Sequence, residues 1–168
     1  MRRVLVIGSG GAGKSTFARR LGERTRLPVV HMDAHYWRPG WVEPSKEEWR
    51  RQVERLLEAD AWIMDGNYGG TMDLRLAAAD TVVFLDLPRL TCLWRVFARR
   101  WRFRNRTRPD MTEGCPERVS LEFVRWIWTY PRLRRPAILE RLAALDRATP
   151  VILRSAGEVD RWLAAQGP

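Results

Sequence analysis

Residues 4–15 read VLVIGSGGAGKS: four aliphatic side chains, a glycine-rich turn, then a lysine and a hydroxyl. The last eight match G-x-x-x-x-G-K-[ST], with Gly8, Gly13, Lys14 and Ser15 at the fixed positions. Bare backbone at Gly8, Gly10, Gly11 and Gly13, with only a methyl at Ala12, lets successive N–H groups turn inward around a polyphosphate. Lys14 then reaches the β- and γ-phosphates, Ser15 ligates Mg²⁺, and Thr16 adds an α-phosphate contact. The helix that follows directs its positive end at the anion. The stretch predicts a strand, loop and helix that bind a nucleoside triphosphate such as ATP, with Mg²⁺. It does not name the reaction.

Moving outward, further apolar runs of strand length occur at 28–32, 61–64, 81–85 and 151–153. Helical spacing lies between them. The helix from about Gly13 carries Phe17, Ala18 and Leu21 on one face. Ser45 and Glu48 form a capping box ahead of Trp49, Val53, Leu56 and Leu57. Residues 73–79 suit a short helix, and 88–102 a long one with Pro88 in its first turn. Asn105, Pro109, Gly114 and Pro116 mark 103–116 as a loop. Helices are expected at 117–130 and 133–146, broken by Pro131, and a last one capped by Ser155 and Glu158 bears Val159, Trp162 and Leu163. Short apolar strands alternating with helices predict an α/β domain of three layers, a parallel sheet covered on both faces.

With 168 residues and 45% hydrophobic side chains, the chain is expected to fold as one domain, 1–168, with a core of its own. No apolar run approaches the roughly 18–20 residues that span a bilayer, so no membrane partner is expected. Cys92 and Cys115 have no metal-like spacing, which points to a reducing cytoplasm. The net charge of +10, with 28 arginines among the 30 basic residues, favours anionic partners: nucleotides, phosphorylated metabolites or nucleic acid. Monomer and homodimer both remain open.

Three strand ends carry carboxylates that a parallel sheet brings to the same edge as the loop. Asp33, in HMDAHYW, is placed to orient an acceptor hydroxyl, take its proton or hold a metal-bound water. Asp65, ahead of Gly66–Asn67–Tyr68, reads as a site residue near the metal, whereas Asp86, before Leu87–Pro88, reads better as a turn cap. Tyr36, Trp37 and Trp41 serve equally well as stacking partners for an acceptor or as packing. His31 and His35 read as ordinary hydrogen-bonding histidines.

From Arg89 to Arg108 there are eight arginines and no acid. On a helix Leu90, Leu93, Trp94, Phe97 and Trp101 share one face, expected to enter the core. Arg95, Arg99, Arg102 and Arg106 share the other. The arginines suit either a clamp on a transferred phosphoryl group or a groove along a nucleic-acid backbone with Trp94, Trp101 or Phe103 stacking on bases.

On these residues the chain resembles P-loop kinases of the nucleoside-monophosphate-kinase and shikimate-kinase type. Through HMDAHYW, the DGNY at 65–68, RTRPDMTEGCPER at 106–118 and FVRWIW at 123–128 it more closely resembles bacterial "DNA topology modulation" or adenylate-kinase-related proteins, the FlaR-like group. The resemblance implies a P-loop NTPase fold with a five-stranded parallel sheet in the order 2-3-1-4-5, a helical lid at about 103–120 and an acceptor region at about 34–60. It implies that Arg95 stacks on the ATP base, Arg99 or Arg100 contacts its phosphates, and Arg108 clamps the phosphoryl group. Arg118 or Arg125 would supply a further arginine, and 154–157 would hold the base. The expected catalytic set is Lys14, Asp33, Arg99 and Arg108. Ser15, Asp33 and Asp65 would serve the metal, and Asp33, Trp37, Arg38, Asp65, Gly66 and Tyr68 the acceptor. Where adenylate kinases have D-G-F-P-R, with an arginine for the acceptor's phosphate, this chain has Asp65–Gly66–Asn67–Tyr68–Gly69 and no arginine until Arg75. That departure weakens AMP as acceptor, leaves the acceptor unnamed, and gives Arg38 as a substitute cation.

Overall fold

Alternation along the first strand sets the layering. In β1 (Arg3–Gly8), Val4 and Val6 join one core cluster and Leu5 and Ile7 the other, all four buried. A strand apolar on both faces belongs in the middle of a parallel sheet. In the computed structural model, which describes residues 1–104 and 106–167, β1 pairs in parallel with β3 (Trp62–Asp65) on one side and β4 (Thr81–Leu85) on the other. Asn105, read from sequence as a lid-loop residue, and Pro168 lie outside the described residues. β2 (Val29–His31) and β5 (Thr149–Leu153) complete a five-stranded sheet in the order β2-β3-β1-β4-β5, as expected.

Helices cover both faces. Phe17, Ala18 and Leu21 of α1 (Lys14–Thr25), Cys92 and Val96 of α5 (Arg89–Arg102), and Leu163 of α8 (Ala156–Ala164) pack on the Val4/Val6 side. Trp49 and Val53 of α3 (Lys46–Leu57), Met72 and Leu76 of α4 (Met72–Ala78), and Leu142 of α7 (Arg135–Ala143) pack on the other. The capping box forms: Glu48 N–H donates to the Ser45 hydroxyl at 3.2 Å, and Ser45 N–H to the Glu48 carboxylate at 2.9 Å.

Three expectations need correction. The stretch after β2 forms a one-turn helix, α2 (Met32–Tyr36), so Asp33 is presented from a helix and not from a strand end. Helix α6 spans Leu121–Leu133, later than expected, because the Ser120 hydroxyl accepts from Phe123 N–H and caps it there. Pro131 lies inside its last turn, where it forfeits a single ladder bond, and the break falls at Arg134.

The third concerns α5. Its apolar stripe is not core: Leu90, Trp94, Phe97 and Trp101 are 66%, 70%, 53% and 81% exposed, and Leu93 is half-buried. The helix rests on Cys92 and Val96, small side chains that let it lie close to the phosphate loop. That rotation turns Arg95 and Arg99 inward, while Arg106 beyond the helix stays exposed.

Candidate active site

Residues 8–15 form the turn that joins β1 to α1. Gly11 and Gly13 adopt φ of 77° and 93°, a region that side chains with a Cβ rarely enter, and Gly13 is the residue from which α1 starts. Lys14 Nζ donates to the carbonyls of Gly8 and Ser9, each at 3.1 Å, and so lies across its own loop. Burial lowers its pKa, opposed by the nearby carboxylates of Asp33 and Asp65. Arg95 donates to the Ala12 carbonyl at 3.1 Å, tying α5 to the loop.

Parallel pairing of β2 with β3 sets His31 opposite Asp65. Their side chains meet at 2.9 Å, with Asp65 buried. This hydrogen bond raises the His31 pKa against the opposing effect of burial. Asp33, one helical step on, accepts from the Tyr68 hydroxyl at 2.5 Å and lies 3.7 Å from Arg108. Burial, then the Asp33 charge, pushes the Tyr68 phenol well up, so it is a fixed donor. Asp86 is structural: it pairs with Arg135 at 2.8 Å and reaches Arg154 at 3.9 Å.

The arginines are organised by a residue that sequence reasoning missed. Glu117, only 2% exposed in its side chain, pairs with Arg99 at 2.9 Å through one oxygen and with Arg108 at 2.7 Å through the other. Arg108 also meets Asp110 at 3.0 Å. Burial depresses the Arg99 pKa, and the Arg108 charge adds to this while Glu117 opposes it. Burial alone would raise the Asp110 pKa, but the Arg108 charge beside it holds it down.

Asn67 and Arg75 were also missed. Asn67 pairs twice with the strand end before the phosphate loop: its amide donates to Gly8 O at 2.7 Å, and Gly8 N–H donates to its carbonyl oxygen at 3.1 Å. Arg75 is fully buried on α4 and donates to the carbonyls of Gly66, Asn67 and Tyr68 at 2.7, 2.5 and 2.9 Å. Burial lowers its pKa to about 10. The only sequence signal for either was proximity to the DGNY turn.

Most of these groups, though not Arg75 or Asp86, line one cleft of about 1130 Å³, room for a nucleotide with a second small molecule. Its lining includes residues 10–16, Arg95, Arg99 and Ala156, together with Asp33, Trp37, Trp41, Gly66, Tyr68, Asp65 and Arg108. Gly8 lies behind the cradle at the end of β1. Arg38 does not line the cleft: it is exposed and pairs with Glu48 at 3.2 Å, because the Arg38–Val42 bridge turns it outward toward α3.

The oxygen donors fit Mg²⁺. Such an ion takes one or two carboxylates and fills its shell with phosphate oxygens and water, so it needs no all-protein cage. Ser15, Asp33 and Asp65 face the same cleft, and among the described residues no group of three or more acidic, histidine or cysteine ligands forms a closed site. Asp65 is engaged by His31, and Asp33 by the Tyr68 hydroxyl and, at 3.7 Å, by Arg108.

The comparisons agree with this architecture. The fold is that of P-loop kinases. A shikimate kinase from Pseudomonas syringae is 29% identical over 177 aligned residues, spanning 89% of this chain and 99% of that enzyme. A shikimate kinase from Acinetobacter baumannii, solved with shikimate, superposes with a TM-score of 0.58 at 18% identity, covering 98% of this chain and 89% of its own. A deoxyadenosine kinase from M. mycoides with bound dATP gives 0.52 at 11% identity, covering 96% of this chain and 97% of its own. No family model matches. Among the described residues no helix is long and apolar enough to cross a membrane.

Proposed function

We propose that the protein is an ATP- and Mg²⁺-dependent phosphotransferase that moves the γ-phosphoryl group to a hydroxyl of a small acceptor. One observation carries the reading. Buried Glu117 holds Arg99 and Arg108 side by side in a cleft that Lys14 and Asp33 also line. Convergent cations around a phosphate cradle, with a carboxylate opposite, are what in-line phosphoryl transfer needs. The likeness to shikimate and deoxyadenosine kinases supports the same class.

Lys14 and the N–H groups of residues 10–15 bind the β- and γ-phosphates. Ser15, Asp33 and Asp65 would hold Mg²⁺, which would neutralise phosphate charge when bound. Asp33, oriented by the Tyr68 hydroxyl, aligns the acceptor and takes its proton as the new P–O bond forms. The bond from the γ-phosphorus to the β-bridging oxygen breaks, and ADP leaves. Arg99 and Arg108 offset the charge on the transferring group. Arg95 and residues 154–157 border the base. The test is ADP release across nucleosides, nucleotides and hydroxylated metabolites. Lys14→Ala should abolish turnover and Arg99→Ala should lower kcat by about 100-fold or more. Near-normal turnover in both variants rejects the assignment.

Membership of the FlaR-like group is our reading of the motifs at 31–37, 65–68, 106–118 and 123–128. A nucleotide-gated nucleic-acid binder is the second reading, favoured by exposed Trp94 and Trp101 beside Arg102 and Arg106. It requires association that weakens with salt at a slope near −0.9 per phosphate contacted on duplex DNA. Absence of binding at low salt removes it.

A further inference from the structure

The acceptor end of the cleft has a composition that the phosphate chemistry does not explain. Tyr36, Trp37, Trp41 and Tyr68 form a connected aromatic wall: Tyr36 lies 5.0 Å from Trp37 and 4.6 Å from Tyr68, and Trp37 lies 5.1 Å from Trp41, centroid to centroid. Two of the four hold positive φ, Trp41 at 65° and Tyr68 at 28°. Bulky side chains seldom take this conformation, and where they do the surrounding structure must enforce it. At Trp41 it is enforced by the ring N–H, which donates to Pro116 O at 3.2 Å, and at Tyr68 by the Asp33 and Arg75 contacts. Backbone strain is thus spent on presenting rings to the cleft.

The charges at this end point the same way. Arg38 faces outward, and Arg75 is buried behind the loop, occupied by carbonyls. Arg108 already meets Asp33, Asp110 and Glu117. Arg118 sits over Trp41, 4.4 Å from the ring centroid, and adds to the aromatic shelf. Two carboxylates, Asp33 and Glu43, face the same space. A second phosphate or a carboxylate on the acceptor would meet these acids with no dedicated guanidinium fork.

Resting on the kinase reading above, we infer that the acceptor is an uncharged, hydroxyl-bearing ring compound, of nucleoside or sugar type, that lays a flat or apolar face on Trp37 and Trp41 and presents its hydroxyl to Asp33. Rings on one side and a carboxylate on the other would discriminate against phosphorylated and carboxylated analogues.

The experiment compares matched pairs: a nucleoside with its 5′-monophosphate, and a neutral cyclic polyol with its carboxylated counterpart. ADP release is measured with each, alongside equilibrium binding of each in the presence of a non-hydrolysable ATP analogue. The uncharged member of at least one pair should lead by about 10-fold or more in kcat/KM. Trp37→Ala should raise its KM by roughly 10-fold with a smaller change in kcat, and Trp37→Phe should restore it. Preference for the anionic members, abolished by Arg118→Ala, overturns the inference and leaves the kinase reading intact. Neutral acceptors indifferent to Trp37→Ala overturn it too. If no acceptor of either charge is turned over or bound above the Lys14→Ala background, both readings fall.

Discussion

Arg108 and Glu117 form an ion pair of 2.7 Å in which the side chains are 9% and 2% exposed. Glu117 carries Arg99 on its other oxygen, so one carboxylate fixes the spacing of two cations that repel each other. Removing one member of such a buried set leaves uncompensated charge, a cost of about 3–5 kcal/mol. Glu117→Ala should lower the melting temperature by roughly 6 °C or more for a chain of this size. Glu117→Gln keeps the shape and should lose less stability but still lower kcat, because it keeps the spacing without the charge. Thermal scans with steady-state kinetics on both variants separate the two effects.

Arg75 has three carbonyl partners, all in the 66–68 turn. Arg75→Met relieves the burial of a cation but orphans three acceptors, at about 1–3 kcal/mol for each that stays dry. A net loss of about 2 kcal/mol is expected in denaturant unfolding. The acceptor KM should rise more than that of ATP, since the turn carries Tyr68. Equal effects on both substrates would contradict the placement.

Trp94 and Trp101 offer the opposite case. A core tryptophan truncated to a small residue costs about 3–5 kcal/mol. With these two 70% and 81% exposed, serine at both positions should change stability by less than about 1 kcal/mol. Chemical denaturation decides it, and a large loss would mean that the stripe is covered.

His31 predicts a pH dependence. Its folded pKa is raised above the ordinary value, chiefly by the Asp65 hydrogen bond. The contribution to stability is therefore complete below about pH 6.5 and is lost as pH rises through the folded value. Wild-type unfolding free energy should fall across that window, and His31→Gln should flatten the fall. Denaturant titrations at about pH 6 and pH 8.5 give the comparison.

The phosphate loop, the strands and the capping box were legible because each depends on neighbours a few residues apart. Gly13 has to be glycine whatever surrounds it. The orientation of α5 was not legible. Periodicity identified two faces and sent the apolar one inward, but Cys92 and Val96 between them were enough to seat the helix, and Glu117, eighteen residues beyond Arg99, drew the arginine inward. Arg38 failed for a related reason: a one-residue bridge to Val42 reversed its direction. Asn67 and Arg75 act through backbone carbonyls, which any sequence supplies, so no pattern announces their partners. The histidine–aspartate pair depended on register between β2 and β3, which follows from the strand order.

The paired contacts of Asn67 with Gly8 have a consequence for timing and distance. One amide side chain bridges the end of β1 and the turn that carries Tyr68, and on the kinase reading it would work as a ruler between donor and acceptor. A ruler longer by one methylene would displace the hydroxyl on the order of 1 Å from the phosphorus, enough to cost about a hundredfold in rate. On that reading the reach between the reactants would be set by the shortest carboxamide side chain available, and a change of substrate that leaves position 67 alone would inherit the same gauge.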